Sequence, residues 1–134
     1  MGSKARRVFY RDRYLDGKGA KILADLLQSD GLDSNSDVTI FVLQNSKSQS
    51  ASELKAELEK ALVKLTNMGV TAQVKVQPWH QRVHFPHARE LEIQRQDGQT
   101  LIVIFDKGMG CLEVDSDGKY RRIEPTYMVI TTRD

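Results

Sequence analysis

A chain of 134 residues is long enough for one hydrophobic core and leaves little room for a second. With 40% apolar and 28% charged residues, the composition predicts a soluble globular domain, and a net charge of +2 does not imply a strong overall attraction to nucleic acid or anionic lipid. The single cysteine, Cys111, excludes an internal disulfide. No apolar run approaches the roughly 18 residues of a membrane-spanning helix.

The first half of the chain predicts strands that alternate with helices. Residues 8–10 are a short β-prone run, and residues 20–28 place their apolar side chains on one face of a helix. Residues 38–43 are almost all apolar and β-prone, which is typical of a strand covered on both faces. A second amphipathic helix follows, with Ser52 as its expected N-cap and Gly69 as its left-handed C-cap.

The second half of the chain predicts strands joined by turns. Residues 70–76 alternate between apolar and polar side chains, and residues 78–86 form a connector bounded by two prolines. Residues 87–93 and 99–105 are predicted to pair as a hairpin around an Asp-Gly turn. The connector therefore separates a region of helical crossovers from a region of hairpins.

Two shorter β-prone runs complete the chain, at residues 112–114 and 127–131, and the first is expected to continue the sheet. The resulting order, β-α-β-α-β-β-β-β, predicts an α/β fold with a mixed β-sheet flanked by helices. We expect a single domain over residues 8–134, with residues 1–7 as an N-terminal tail or a cloning remnant.

The three histidines of the connector region do not predict a metal site. His80, His84 and His87 have the spacing of one helix face, but Pro86 lies inside the interval. A proline within a helix costs about 3 kcal/mol, so a helical ligand set is not expected. The sequence predicts neither a metal ion nor a cofactor.

His87 and Arg89 offer a second chemical interpretation. Alternate residues of a strand share one face, so the two side chains would point the same way. A histidine nucleophile beside a phosphate-binding cation could cleave a phosphodiester, but one chain carries one such element, and a second histidine would have to come from a symmetric partner. The preferred interpretation is structural, with Arg89 paired to Glu90 or Glu92 of a neighbouring strand.

Three blocks of the chain resemble a known family. Residues 12–15 (Asp-Arg-Tyr-Leu) resemble an Asp-Pro-Tyr-Ile/Leu entry, residues 87–91 (His-Ala-Arg-Glu-Leu) stand where that family has His-Asp-Arg-Glu-Ile, and residues 105–109 resemble its Gly-Arg-Gly-Leu ending. On these blocks the chain is similar to the phospholipase D-like C-terminal domain of MIT-domain-containing proteins that interact with ESCRT-III.

The resemblance implies a phospholipase D-like fold, a homodimer and the loss of catalysis. Active phospholipase D enzymes carry His-x-Lys-x4-Asp, whereas here His87 is followed by Arg89 and Gln94, and Met109 stands in place of the usual serine. In the family, the domain attaches to membranes, including phosphoinositides, and acts in cytokinesis. The enzyme prediction accordingly leans towards no activity.

The leading functional hypothesis is a non-catalytic, dimeric interaction module that binds anionic membrane lipid or a protein partner, in the cytoplasm or peripherally at membranes. Its basic surface is expected to combine Lys4, Arg6, Arg7, Lys75, Arg82 and Arg89. The residues expected to bind the ligand are His87, Arg89, Arg82, Lys75, Arg13, Tyr14 and Lys107.

The alternative hypothesis is a dimeric phosphodiesterase or nuclease that uses His87 from two subunits. If active, the site would comprise His87, Arg89 and Glu90. Plain nucleic-acid binding ranks below both hypotheses, because the net charge is low and the chain has few aromatic platforms.

Overall fold

The computed structural model describes residues 4–32, 34–44, 49–105, 112–114, 120–122 and 128–133. The strands are β1 (Ala5–Asp12), β2 (Asp37–Leu43), β3 (Thr71–Gln77), β4 (Arg89–Arg95), β5 (Thr100–Phe105), β6 (Leu112–Val114), β7 (Tyr120–Arg122) and β8 (Met128–Arg133). The helices are α1 (Gly17–Asp30), α2 (Ala51–Ala61) and α3 (Val63–Asn67), with a 3₁₀ helix over Trp79–His84.

The main sheet has six strands in the order β3-β2-β1-β4-β5-β8. The first three are parallel and are joined by the helical crossovers, whereas β4, β5 and β8 each pair with their neighbour in antiparallel fashion. The predicted α/β class and mixed sheet are therefore confirmed. The expectation that residues 112–114 extend this sheet is wrong, because β6 pairs with β7 in a separate two-stranded sheet.

The hydrophobic core lies between the three helices and one face of the sheet, here called the core face. Alternate side chains of the central strands, such as Val8, Tyr10 and Ile40, meet helical side chains such as Leu23 and Leu58, and all five are fully buried. This follows from the two periodicities, since one face of each strand and one stripe of each helix are apolar. The opposite face of the sheet, here called the open face, is covered by none of the three helices.

Several local boundaries differ from the sequence-based expectations. β1 starts at Ala5, so residues 5–7, expected in the tail, are strand residues. The N-cap of α2 is Ser50 and not Ser52, because the Ser50 hydroxyl accepts a hydrogen bond from the Glu53 N–H at 3.1 Å. The predicted second helix is divided at Leu62 into α2 and α3.

Gly69 has the backbone conformation that its position predicted. Its φ is +87°, in the left-handed region that favours glycine. A Cβ at this position would also lie 3.2 Å from the Cβ of Ser34. Glycine therefore ends the helical segment and lets the chain enter β3 beside the loop that precedes β2.

Candidate functional site

One edge of the main sheet collects most of the side chains that sequence analysis singled out. The carboxyl ends of β1, β2 and β3 lie there, and β4 begins at the same edge because it runs antiparallel to β1. In open α/β sheets the carboxyl ends of parallel strands are the usual place for ligands. The side chains at this edge, here called the edge cluster, are Asp12, Arg13, Tyr14, Trp79, Arg82 and Arg89.

Asp12 organises the centre of the edge cluster. Its carboxylate is 3% exposed and accepts hydrogen bonds from the Tyr10 hydroxyl at 2.8 Å and from the backbone N–H of Tyr14 at 3.0 Å. The Nε atom of Arg89 lies 3.4 Å from the same carboxylate. A buried charge needs such partners, and in return Asp12 fixes both the turn after β1 and the position of Arg89.

Arg13 fastens the connector between β3 and β4 to the end of β1. Its side chain is buried, and Nη1 donates hydrogen bonds to the carbonyl oxygens of Arg82 at 3.1 Å and Phe85 at 2.7 Å. These two acceptors are 69 and 72 residues away along the chain. The structure therefore gives Arg13, a predicted ligand-binding residue, a role in positioning the connector.

Tyr14 presents an aromatic ring to solvent among cations. The residue is 55% exposed, and the guanidinium carbons of Arg13 and Arg89 lie 5.9 Å and 6.0 Å from its ring centroid. On the neighbouring connector, the guanidinium of Arg82 lies 4.9 Å from the Trp79 ring centroid. Both arrangements are within the range of cation–π attraction, so the edge cluster offers two ring surfaces accompanied by positive charge.

His87 does not share a strand face with Arg89, contrary to the sequence-based expectation. β4 begins at Arg89, and His87 is an exposed residue in the bend that precedes it. The physical reason is Pro86, which cannot donate a ladder hydrogen bond and delays the start of the strand. His80 and His84 are also exposed on the connector, and within the described ranges no group of three or more His, Cys, Asp or Glu side chains could hold a metal ion.

Glu90 and Lys75 belong to the open face and not to the edge cluster. The carboxylate of Glu90 pairs with Arg11 at 2.8 Å, and the Nζ atom of Lys75 lies 5.7 Å from the ring centroid of Phe41. The structure thus brings together Arg13, Tyr14, Arg82 and Arg89, and separates Glu90 and Lys75 from them. Lys107, like Met109, lies outside the described residues.

The predicted continuous basic surface is not formed. Lys4, Arg6 and Arg7 lie at the start of β1, where Arg7 is in register with Gln94, whereas Arg89 lies at the other end of that strand pair. Charge segregation along a sequence does not determine which end of a strand carries the charge. Arg82 and Arg89 therefore lie at one edge of the sheet, and the N-terminal basic residues lie at the opposite edge.

Sequence analysis missed an aromatic groove on the open face, with a volume of about 290 Å³. The residues lining this groove, here called the aromatic groove, are Phe9, Arg11, Phe41, Gln77, Phe85, Pro86, Glu90 and Glu92. The signal was present in the alternation of β1 and β2, where large aromatic and charged side chains occupy the positions opposite to the core face. No helix of the described part of the chain is long and apolar enough to span a membrane.

These observations define the class of protein as an α/β domain with a mixed sheet, one edge of which carries cationic and aromatic side chains. Residues 1–128 match the family described as the C-terminal domain of the DEAD/DEAH box helicase YjiV. The chain belongs to this family. No curated protein matches it.

Two solved structures show distant likeness to the chain. They are the yeast tyrosyl-DNA phosphodiesterase and a mutant of yeast tyrosyl-DNA phosphodiesterase 1, with 15% and 16% sequence identity and TM-scores of 0.37 and 0.36. Each match covers 81% of this chain, which spans 22% of the length of either structure. The phospholipase D-like assignment of the fold stays a prediction.

The family match overturns the resemblance to the C-terminal domain of MIT-domain-containing proteins. That resemblance depended on blocks of about five residues at a strand start and at turns, where many α/β proteins need similar residue types. The membrane, phosphoinositide and cytokinesis expectations came from it and lose their support. The homodimer and the cytoplasmic location stay predictions.

Proposed function

We propose that this chain is a non-catalytic accessory domain of a DEAD/DEAH-box helicase and that it contacts single-stranded nucleic acid through the edge cluster. The family description supplies the helicase context. The proposed ligand is nucleic acid in place of anionic lipid: it is also a polyanion, and its bases can stack on aromatic side chains. The expected role of the domain as an interaction module is unchanged.

The observation that carries the proposal is the exposed Tyr14 ring with the guanidinium groups of Arg13 and Arg89 near it. Proteins that hold single strands combine cations that follow the phosphates with aromatic rings on which bases stack. Trp79 and Arg82 supply a second pair of this kind on the connector. A duplex keeps its bases stacked on one another, so the exposed Tyr14 ring and the half-buried Trp79 ring favour a single strand.

Local charge explains why nucleic acid ranks higher here than the composition suggested. The net charge is +2 over the whole chain, but the edge cluster contains three arginines and one carboxylate. Phosphate contacts depend on the charges that converge on the strand, not on the total. Burial of Arg13 leaves Arg82 and Arg89 as the residues best placed for such contacts.

The positions of His87, Arg89 and Gln94, which stand where active enzymes carry His-x-Lys-x4-Asp, support a binding role over phosphodiester cleavage. His87 lies exposed ahead of β4 and has no fixed place beside Arg89 in that strand. Arg89 is engaged by Asp12. Gln94, which stands where active enzymes have aspartate, follows five positions later and so lies on the opposite face of the sheet, where its amide donates to Glu92 at 2.9 Å.

The test is the binding of labelled strands of about ten nucleotides, a length within the site sizes of single-strand-binding domains. Fluorescence anisotropy with oligouridylate, oligothymidylate and a duplex of the same length distinguishes RNA, DNA and double-stranded ligands. We expect saturable binding of a single strand and weaker binding of the duplex. Tyr14→Ala should weaken single-strand binding by about 1–3 kcal/mol, roughly 5- to 150-fold, because one stacking surface is lost.

Matched controls separate this surface from general effects of charge and apolarity. Val63→Ala removes an exposed apolar side chain from α3, and Arg6→Gln removes a cation at the opposite edge of the sheet. Both variants should bind as the wild type does. Wild-type protein that binds no single strand, or that binds it equally well after Tyr14→Ala, would contradict the proposed function.

A further inference from the structure

The aromatic groove on the open face has the dimensions and the wall chemistry of a pocket for one planar ring. Its volume is about 290 Å³, and it is lined by Phe9 and Phe41, from neighbouring strands, and by the buried Phe85 of the connector. Phenylalanine faces attract planar groups by offset stacking. Lipid chains are long and flexible, and a groove of this size would hold only a small part of one.

The polar groups of the groove are mainly hydrogen-bond acceptors. Among the described residues, the carboxylate of Glu92 takes one hydrogen bond, from the Gln94 amide at 2.9 Å, and a carboxylate can accept about four. The amide nitrogen of Gln77 donates to the Gln81 carbonyl at 3.0 Å, which leaves its oxygen as an acceptor. A planar ligand with adjacent N–H donors therefore matches this wall.

Arg11 supplies a hydrogen-bond donor to the wall of the groove. The Nε atom of Arg11 is buried and has no hydrogen-bond partner among the described residues, although the Nη2 atom of the same guanidinium pairs with Glu90 at 2.8 Å. The Nε atom is too deeply buried to meet a ligand in the groove, but the Arg11 side chain as a whole is 33% exposed. A ring carbonyl of the ligand can accept from the exposed part of the guanidinium, next to the donors that Glu92 accepts.

We propose that the aromatic groove is a nucleobase pocket that prefers guanine. Guanine presents the N1–H and N2–H donors side by side with the O6 acceptor, which complements the Glu92 carboxylate and Arg11. Adenine, cytosine and uracil each lack one of the two adjacent donors. This inference rests on the proposed function, since it names the base that a bound strand would insert.

The connector links the pocket to the edge cluster. Its first residues hold the Trp79–Arg82 pair, and its last residues, Phe85 and Pro86, line the groove. Arg13 accounts for their fixed relation, because its Nη1 atom donates to the carbonyls of both Arg82 and Phe85. A strand that follows the connector from Trp79 can therefore place a base over the Phe85 side of the sheet.

The experiment compares oligouridylates that carry one central guanosine, one central adenosine or neither. The guanosine strand should bind about tenfold more tightly than the other two, the size of discrimination given by one bidentate contact. Glu92→Gln should abolish this preference, so that the three strands bind the variant with equal affinity. Glu59→Gln, which neutralises an exposed carboxylate on α2, should keep the preference. Equal affinity for the three strands, or a preference that survives Glu92→Gln, would overturn the inference.

A second experiment tests the base pocket without a strand. It is needed if no strand binds at all, because that result would contradict only the proposed function. Titration with GMP, followed by the backbone amide resonances of Phe9 and Phe41, should shift those signals in the wild type and not in Glu92→Gln. AMP should produce much smaller shifts. Absence of shifts with GMP, or equal shifts with arginine amide as the probe, would overturn the base pocket.

Discussion

The two faces of the main sheet use the same strands in different ways. On the core face, Val8, Tyr10 and Ile40 are fully buried against helices, and the packing is saturated. On the open face, Phe9 and Phe41 remain half-buried beside charged side chains and line a groove. Large aromatic side chains that are left without a helical cover cost solvation free energy. The difference teaches that one face supplies stability and that the other face, with its edge, is available for binding.

The largest effect expected from this comparison is a loss of stability on the core face. Leu58→Ala removes a fully buried side chain of α2 and should lower the free energy of unfolding by about 2–5 kcal/mol, because a cavity remains. Lys75→Ala, on the open face, should change it by less than about 0.5 kcal/mol. Urea denaturation measures both values. Similar losses of unfolding free energy in the two variants would contradict the claim that the core face supplies the stability.

Arg13 and Arg89, two of the three arginines of the edge cluster, extend the comparison between structural and binding residues. Arg13→Met removes the hydrogen bonds to the carbonyls of Arg82 and Phe85 and should cost about 2 kcal/mol of stability. Arg89→Gln should cost less, about 1 kcal/mol, because the buried Asp12 carboxylate keeps its hydrogen bonds from the Tyr10 hydroxyl and the Tyr14 N–H, and it should instead weaken strand binding. Thermal denaturation and anisotropy, measured on both variants, check this division. The reverse pattern would show that Arg89 is the structural residue.

A smaller effect concerns the helix cover of the core face. Ser50→Ala should destabilise the domain by about 1 kcal/mol, because the Glu53 N–H loses its capping acceptor. Ser52→Ala, the variant of the residue that sequence analysis favoured as the cap, should have little effect. Comparison of the two melting temperatures tests the assignment, and an equal loss for both variants would contradict it.

The smallest expected effect is the one at His87. An exposed histidine outside β4 is not expected to act as a nucleophile, so wild type and His87→Ala should hydrolyse a generic phosphodiester equally, at the background rate. A p-nitrophenyl phosphodiester provides the assay. Hydrolysis by the wild type that disappears in His87→Ala would instead establish the phosphodiesterase alternative.

The sequence predicted those features that depend on local periodicity. The alternation along β3, the amphipathic faces of α1 and α2 and the left-handed Gly69 all follow from spacing and residue type, and the structure contains them. The expectation that β2 is covered on both faces is wrong, because alternate residues of its open face are only partly buried. The sequence also indicated several residues of the edge cluster, because the carboxyl end of β1 and the start of β4 carry Arg13, Tyr14 and Arg89.

The features that sequence analysis could not predict depend on distant pairing. Arg11 meets Glu90, 79 positions away, only because β4 lies beside β1 in the sheet. The buried role of Arg13 depends likewise on carbonyls of the connector. No local pattern contains these contacts, and so Arg13 was interpreted as a ligand residue and the aromatic groove was missed.

The most direct test of the central claim uses Trp79, the only tryptophan of the chain, as the probe. Its fluorescence would be titrated with oligouridylate at several salt concentrations. We predict saturable quenching and an affinity that falls linearly with salt on logarithmic axes, with a slope smaller by about 0.7 in Arg89→Gln, as expected for one lost phosphate contact. Fluorescence that does not respond to the strand, or a slope unchanged in Arg89→Gln, would contradict the assignment of the edge cluster to single-stranded nucleic acid.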